Sequence, residues 1–129
     1  MLKIILIMIG GGLGAAFRHM VFVIVQNSTG SSFPSGTLAV NLIGSFFIGL
    51  LWHLLEGAKL SPEIRFFIFT GFLGGFTTFS TFTRESTQLF KTGAWKTAVV
   101  YMGASNLLGI FLVFTGYAVA KYLLTALKG

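Results

Sequence analysis

Cysteine is absent from this chain of 129 residues, and three glutamates are its only acidic side chains. Without cysteine, disulfides and thiolate metal sites are excluded. Charged residues of every kind make up 9% of the chain, whereas 54% of its residues are hydrophobic. A soluble domain of this length could not cover so much apolar surface. The shortage of charge therefore indicates a membrane protein.

The residue sets that enzymes use for catalysis are missing as well. His19 and His53 are isolated, no nucleophile accompanies a base, and no phosphate-binding loop is present. Glu56 and Glu63 belong to a polar connection, and only Glu85 lies close to an apolar stretch. A proton-coupled exporter normally needs an acidic residue deep within a span. We therefore expect a protein that is not an enzyme, and we find little to favour a proton-coupled exporter.

Four apolar stretches are long enough to cross a bilayer, which takes about 20 mostly apolar residues. The predicted spans, with approximate bounds, are 4–25, 36–55, 64–90 and 97–124. In the polar connection before the third span, Ser61 and Pro62 are typical of a helix start. The predicted fold is therefore all-α, a single four-span membrane domain over residues 1–129.

Lysine and arginine are almost equally divided between the two sides of this predicted domain. The side with both termini carries five, namely Lys3, Lys59, Arg65, Lys121 and Lys128. The opposite side carries four, namely Arg18, Arg84, Lys91 and Lys96. Orientation normally follows an excess of these residues in cytoplasmic loops, so either dual insertion or an orientation held by partners is open. Their single placement at span ends favours lipid headgroups over nucleic acid as the partner.

The third span contains the most informative segment, Gly71-Phe-Leu-Gly-Gly-Phe-Thr-Thr-Phe-Ser-Thr-Phe82. Glycine costs a helix about 1 kcal/mol relative to alanine, and glycine pairs are common kink sites. We therefore predict that the third helix is broken at mid-membrane by the glycine pair, with Gly74, Gly75, Thr77 and Thr78 at the break. Unwound carbonyls there could coordinate a small cation. The alternative is close helix packing through small residues.

Side chains after this break could line a path for an ion. Phe79 and Phe82 are three residues apart and share a helix face, and Ser80 and Thr83 follow along an adjacent strip. The edge of an aromatic ring is electropositive, so phenylalanine edges could meet an anion without binding it tightly. Simple packing is the alternative in a chain with fifteen phenylalanines. The lack of a carboxylate in the segment favours conduction over acid–base chemistry.

Polar residues in the other spans are further candidates. Asn41 needs partners in lipid, so it either joins helices or lines a pore. Arg18 has apolar residues on both sides, and it either attracts anions in a vestibule or reaches the headgroups. Tyr101, Ser105 and Gly109 are spaced by four and form a narrow polar or small strip on the fourth span.

Together these segments resemble one known family. The third-span motif, preceded by Gly36-Thr-Leu-Ala-Val-Asn41 and by Gly-Ala-Ala-Phe-Arg18, is similar to the Fluc (CrcB) fluoride channels. The likeness covers essentially the whole chain in length, span count and motif order. It implies an antiparallel, dual-topology homodimer of four-helix subunits, with two fluoride pores, in the bacterial inner membrane.

The resemblance also implies a role for each candidate residue. Phe79 and Phe82 match the phenylalanines whose ring edges face fluoride. Other pore roles are implied for Asn41, Ser80, Thr83, Tyr101, Ser105, Arg18 and Glu85. The carbonyls of Gly74 and Thr77 match those that hold a structural sodium ion, which is not transported. Gly109 departs from members with a second serine there, so we expect the polar track to be shorter or completed by water.

The implied activity is passive export that confers fluoride resistance. Hydrogen fluoride crosses membranes as a neutral acid and ionises inside, and a negative-inside potential expels the anion with about 2.3 kcal/mol per 100 mV. Two other classes remain open. A dual-topology small multidrug exporter would need a membrane-embedded carboxylate, which the first span lacks. A holin-like structural pore former would not need a polar broken helix.

Overall fold

The computed structural model describes every residue from Met1 to Gly129, and the chain is helical throughout. Four helical segments are long and apolar enough to cross a membrane: Leu2–Thr29, Ser35–Glu56, Pro62–Lys91 and Trp95–Lys128. The predicted all-helical architecture with four spans is confirmed. Only 17 of 129 residues are buried, because most apolar side chains point outward, as they do when lipid replaces water as the solvent.

The third span consists of two helices. The helices in chain order are α1 (Leu2–Thr29), α2 (Ser35–Glu56), α3 (62–76), α4 (Phe79–Lys91) and α5 (Trp95–Lys128). Within α3, a π-helix over Phe66–Leu73 separates two short α-helical turns. A π-helix of this length is rare, and such segments are frequent at functional sites. The sequence pattern did not predict it.

The connection between α2 and α3 is fixed by two hydrogen-bonding arrangements. The Ser61 hydroxyl accepts from the backbone N–H of Ile64 at 3.4 Å, and Pro62 is the first helical residue. The helix start that this pair predicts is confirmed. The Arg65 guanidinium donates to the Leu55 carbonyl at 2.7 Å. This basic side chain therefore satisfies a carbonyl at the end of α2, where cations are favoured.

Two helix pairs form the body of the molecule. Helix α2 packs most extensively on α5, α1 packs on α3, and contacts between α1 and α2 join the pairs. A Cβ at Gly14 would overlap the carbonyl oxygen of Phe72, and a Cβ at Gly116 would overlap that of Phe46. Only glycine permits these approaches of one backbone to another. Small residues at helix contacts are characteristic of membrane proteins.

The third span is interrupted at two threonines rather than at the glycine pair. Thr77 (φ −82°, ψ 157°) and Thr78 (φ −146°, ψ 120°) are extended. Gly74 is helical, with φ −63° and ψ −37°. Gly75 lies against α1, where a Cβ would be 2.5 Å from the Gly11 carbonyl oxygen. The interruption thus lies at Thr77 and Thr78, two of the four residues predicted at the break, whereas the glycine pair does not make it, because Gly74 is helical and Gly75 packs on α1.

Candidate functional site

The extended Thr78 is held by one side chain of α2. Asn41 Nδ2 donates to the Thr78 carbonyl at 2.9 Å, and the Thr78 N–H donates to Asn41 Oδ1 at 2.8 Å. The Ser45 hydroxyl in turn donates to the Asn41 carbonyl at 2.8 Å. A backbone group left unpaired in a bilayer costs several kcal/mol. The asparagine thus acts as the predicted join between helices, and it does so by pairing both backbone groups of one residue.

The interruption takes the usual helical donors away from carbonyl groups at the end of α3, including those of Gly74 and Thr77. In a continuous helix the Gly74 carbonyl would accept from the Thr78 N–H, which is bound by the asparagine side chain instead. The Thr77 carbonyl would accept from the Thr81 N–H, which donates to Thr78 Oγ1 at 3.2 Å. The only donor near the Thr77 carbonyl is Arg18 Nη1, at a long 3.5 Å. The two carbonyls predicted as cation ligands are among the four at the end of α3 from which the interruption removes a helical donor.

A cavity of about 350 Å³ opens beside these groups on the surface of the molecule. Its polar wall includes Asn41, Ser45, Gly74 and Thr77, and Phe79 lies at its rim. The predicted cation ligands and two predicted pore residues are therefore brought to one face. This cavity is the first part of the candidate site.

The two phenylalanines after the interruption touch each other but have different environments. Their ring centroids are 5.8 Å apart, as their spacing predicts. Phe79 is 76% exposed, whereas Phe82 is only 8% exposed. The Phe82 ring lies 5.3 Å from that of Tyr101. One ring therefore belongs to the core, and the other projects from the surface of the molecule.

Glu85 joins three helices. The Thr37 hydroxyl of α2 donates to one carboxylate oxygen at 2.8 Å, and the Tyr101 hydroxyl of α5 donates to the other at 2.8 Å. Both donors are fully buried. The predicted candidates Glu85 and Tyr101 are thus brought together, with Phe82 packed on the same tyrosine.

Sequence reasoning missed Thr37 and Ser45. The signal was present, because Thr37, Asn41 and Ser45 are spaced by four and must share one face of α2. The structure shows a hydrogen bond from each member: Thr37 donates to Glu85, Asn41 to the Thr78 carbonyl, and Ser45 to the Asn41 carbonyl. Thr81 was also missed, and it lines a second cavity.

Arg18 points into the protein rather than along the surface. Its guanidinium reaches the Thr77 carbonyl, and it lines a cavity of about 290 Å³ with His19, Thr37, Thr78 and Thr81. The side chain is therefore directed towards the interruption and not towards the lipid headgroups. The cavity brings a cation to the side of the interruption that faces α1.

The polar strip on α5 has no side chain at Gly109. The Ser105 hydroxyl is the only buried side-chain polar atom without a hydrogen-bond partner. A Cβ at Gly109 would lie 3.5 Å from Ser45 Oγ. A hydroxyl from α2 therefore stands beside the position where α5 has no side chain. Unpaired buried polar atoms are uncommon in proteins, and Ser105 is free to bind water or an ion.

Ser80 and Thr83 are not part of this cluster. They lie on the exposed side of α4, in a groove with Arg84 and Lys91. The Thr83 hydroxyl donates to the Ser80 carbonyl at 3.0 Å. The predicted pore residues are thus divided between two cavities, a buried cluster, the strip on α5 and a groove.

Comparison with known proteins gives consistent results. Residues 5–117 match the family described as CrcB-like protein, Camphor Resistance (CrcB). A relative from Parabacteroides distasonis is 44% identical over 128 residues, covering 99% of this chain and 100% of the relative. A Legionella pneumophila (strain Lens) relative is 44% identical over 122 residues, covering 94% and 91%. A Shewanella loihica relative is 41% identical over 114 residues, covering 88% and 92%.

Each of these three relatives is named fluoride-specific ion channel FluC. The family is one of ion channels, so the expectation that the chain is not an enzyme is confirmed. The family match covers most of the chain, and the relatives align over nearly the full length of both proteins. The chain is therefore a multi-pass bacterial membrane protein that belongs to the CrcB-like family.

Proposed function

We propose that this chain is a fluoride-specific ion channel that lets the anion leave the cell passively. The observation that carries the proposal is the 44% identity, over 99% of the chain, to a relative with that name. The site adds chemical support, because its walls combine an amide, hydroxyls and phenylalanine rings. Such groups interact with an anion more weakly than a ring of arginines does, and conduction requires that the ion also leaves.

The first prediction concerns the two phenylalanine rings. Phe79→Ile and Phe82→Ile keep apolar bulk but remove the electropositive ring edge, so we expect fluoride flux to fall at least tenfold. Volume-matched swaps usually cost less than about 1.5 kcal/mol of stability, so protein yield should change little. The measurement is fluoride release from liposomes, read with a fluoride electrode.

Phe114→Ile is the matched control, since this ring on α5 is 68% exposed and lies outside the site. It should leave flux unchanged. Wild-type protein that releases no fluoride would contradict the channel function itself. Normal flux in both ring variants would instead leave the function standing and assign the two rings to packing.

We propose further that two copies assemble antiparallel, with the interruption at mid-membrane and at their shared face. Three features support this arrangement. Phe79 projects from the subunit, the cavity with the Gly74 and Thr77 carbonyls is open at the surface, and lysine and arginine divide five to four between the two sides. A twofold axis would duplicate each half-site. Dual insertion would supply the two orientations.

The second prediction tests this topology. A tag on the C-terminus of the native sequence should be accessible from both sides of the membrane, because the charge bias is weak. Three lysines added between Glu56 and Ser61 should bias insertion to one orientation and lower flux. Co-expression with a copy biased the other way should restore it. A tag accessible from one side only would contradict dual insertion.

A structural sodium ion is proposed for the shared face. The Gly74 and Thr77 carbonyls have given up helical donors, and carbonyl oxygens are ligands that hard cations prefer. Two copies would present four such oxygens. When bound, the ion would supply positive charge to carbonyl dipoles that are poorly paired in lipid.

A further inference from the structure

One face of α4 is polar along its whole length. A groove of about 290 Å³ runs along it, and no hydrophobic residue lines it. The lining residues are Ser80, Thr83, Arg84, Thr87, Gln88 and Lys91. Their spacing of three or four places them on one side of the helix. At 1.5 Å per residue, the groove extends about 16 Å from the interruption to the end of α4.

The two cations in this groove have no anionic partner. The only contact between a basic and an acidic side chain in the molecule joins His53 and Glu56, near the C-terminal end of α2. Glu85, although it follows Arg84 in sequence, turns inward to hydroxyls of α2 and α5. The inward carboxylate and the outward guanidinium are thus separated by the helix. The groove retains the positive charges of Arg84 and Lys91.

Lipid chains cannot cover such a surface without a large penalty. Two charges and four further polar side chains along the groove would lose their water. Two of the hydroxyls are partly satisfied locally, since Thr83 donates to the Ser80 carbonyl and Thr87 to the Thr83 carbonyl. Neither cation has a hydrogen-bond acceptor within the protein. Water in the groove satisfies these groups at the lowest cost.

We propose that this groove is a water-filled approach for small inorganic anions, in which Arg84 and Lys91 concentrate anions and lead them to Ser80 beside Phe79. The proposal rests on the proposed channel function for the site to which the anions are led. The charge and hydration of the groove do not depend on that function. A groove lined by one sign of charge raises the local concentration of the opposite ion. The screening length is about 30 Å at 0.01 M salt and about 3 Å at 1 M, so the effect must be strongest at low salt.

The absence of cysteine permits a direct test of the groove. Thr87→Cys gives the chain a single thiol in the middle of the groove. We expect this thiol to react with water-soluble thiosulfonates, and to react about tenfold faster with an anionic reagent than with a cationic one at low salt. Adding Arg84→Gln and Lys91→Gln should bring that ratio close to one, and so should 1 M salt. The readout is the rate of labelling, which does not depend on flux.

Two control variants complete the design. Leu107→Cys places a thiol on α5 at a side chain that is 72% exposed and apolar, and it should be protected by lipid. Lys121→Gln removes the same charge outside the groove and should leave the reagent preference at residue 87 unchanged. A residue-87 thiol as unreactive as that at 107 would overturn the proposal, since a lipid headgroup or another subunit would then cover the groove. A preference that survives the double glutamine variant would overturn the role of the two cations.

Fluoride flux provides the second arm. Arg84→Gln with Lys91→Gln should lower flux several-fold at 0.01 M salt and change it little at 1 M, and Arg84→Lys should retain most of it. Lowered flux at both salt concentrations would indicate a structural defect and contradict the role as an approach. If the wild-type protein shows the labelling preference but no flux, the groove still attracts anions. Only the claim that it leads them to a fluoride path would then be contradicted.

Discussion

Replacing Asn41 with leucine is expected to abolish flux and to destabilise the subunit by about 2–6 kcal/mol, since two backbone groups of Thr78 lose their partner and each unpaired group costs about 1–3 kcal/mol. No other side chain bonds these two groups. Asn41→Asp should be intermediate, because a carboxylate still accepts from the Thr78 N–H but cannot donate to its carbonyl. Unfolding in detergent and fluoride release from liposomes measure the two effects.

Asn106 offers a matched control. It is an exposed asparagine on α5 whose side chain donates only to the Met102 carbonyl of its own helix, at 2.8 Å. Asn106→Leu should change stability by less than about 0.5 kcal/mol, as surface substitutions usually do. Equal losses at both positions would show that Asn41 contributes only general polarity, and would contradict its specific pairing with Thr78.

The second large effect is expected at Gly44. A Cβ there would overlap the Thr77 methyl group and approach the Phe76 ring at 3.4 Å. Gly44→Ala should therefore displace Thr77, whose carbonyl is a proposed sodium ligand, and lower flux at least tenfold. Thr77→Ser removes that methyl group and can keep the hydroxyl bond to the Leu73 carbonyl, so it should be mild by itself. The double variant should regain most of the flux, because residues in contact are not additive.

The Gly44→Ala variant also tests whether flux requires the sodium ion. Flux of the wild type should fall when sodium is replaced on both faces by a large organic cation, and Gly44→Ala should need more sodium for the same flux. Gly103→Ala is the control, since no atom outside its own helix lies within 4 Å of a Cβ there. Unchanged wild-type flux without sodium would show that the ion is dispensable. If the double variant conducts no more fluoride than Gly44→Ala, the steric effect of the added Cβ does not act through Thr77.

The four spans were predictable because long apolar stretches have one common solution in a bilayer, an α-helix with its own hydrogen bonds satisfied. The start of α3 was also predictable, since it depends only on neighbouring residues: the Ser61 side chain accepts from the Ile64 N–H, and Pro62 is the first helical residue. The exact position of the interruption was not predictable from the sequence. Helix propensity pointed to the glycines, whereas the extended backbone of Thr78 depends on an amide 37 residues away. No local pattern encodes that contact.

The candidate site shows the same contrast between local features, which the sequence predicts, and contacts between helices, which it does not. Spacing correctly brought the Phe79 and Phe82 rings into contact, but it could not show that only one of them is buried. Spacing also placed Ser80 and Thr83 on one strip, and they line a surface groove of α4. The carboxylate of Glu85 was predicted as a candidate, yet its donors lie on two other helices. Spacing predicts neighbours on one helix, while contacts between helices require the packed structure.

The pairing between Asn41 and Thr78 also has a consequence for biosynthesis. Chains fold from the N-terminus during synthesis, and α2 leaves the ribosome before the third span does. The amide thus leaves the ribosome before Thr78, which lies 37 residues later. Spans insert first as independent helices and associate afterwards, so a newly inserted third span can begin as one uninterrupted helix. Its division into two helices is then a late event, which occurs when the spans associate and exchanges bonds within one helix for bonds between two.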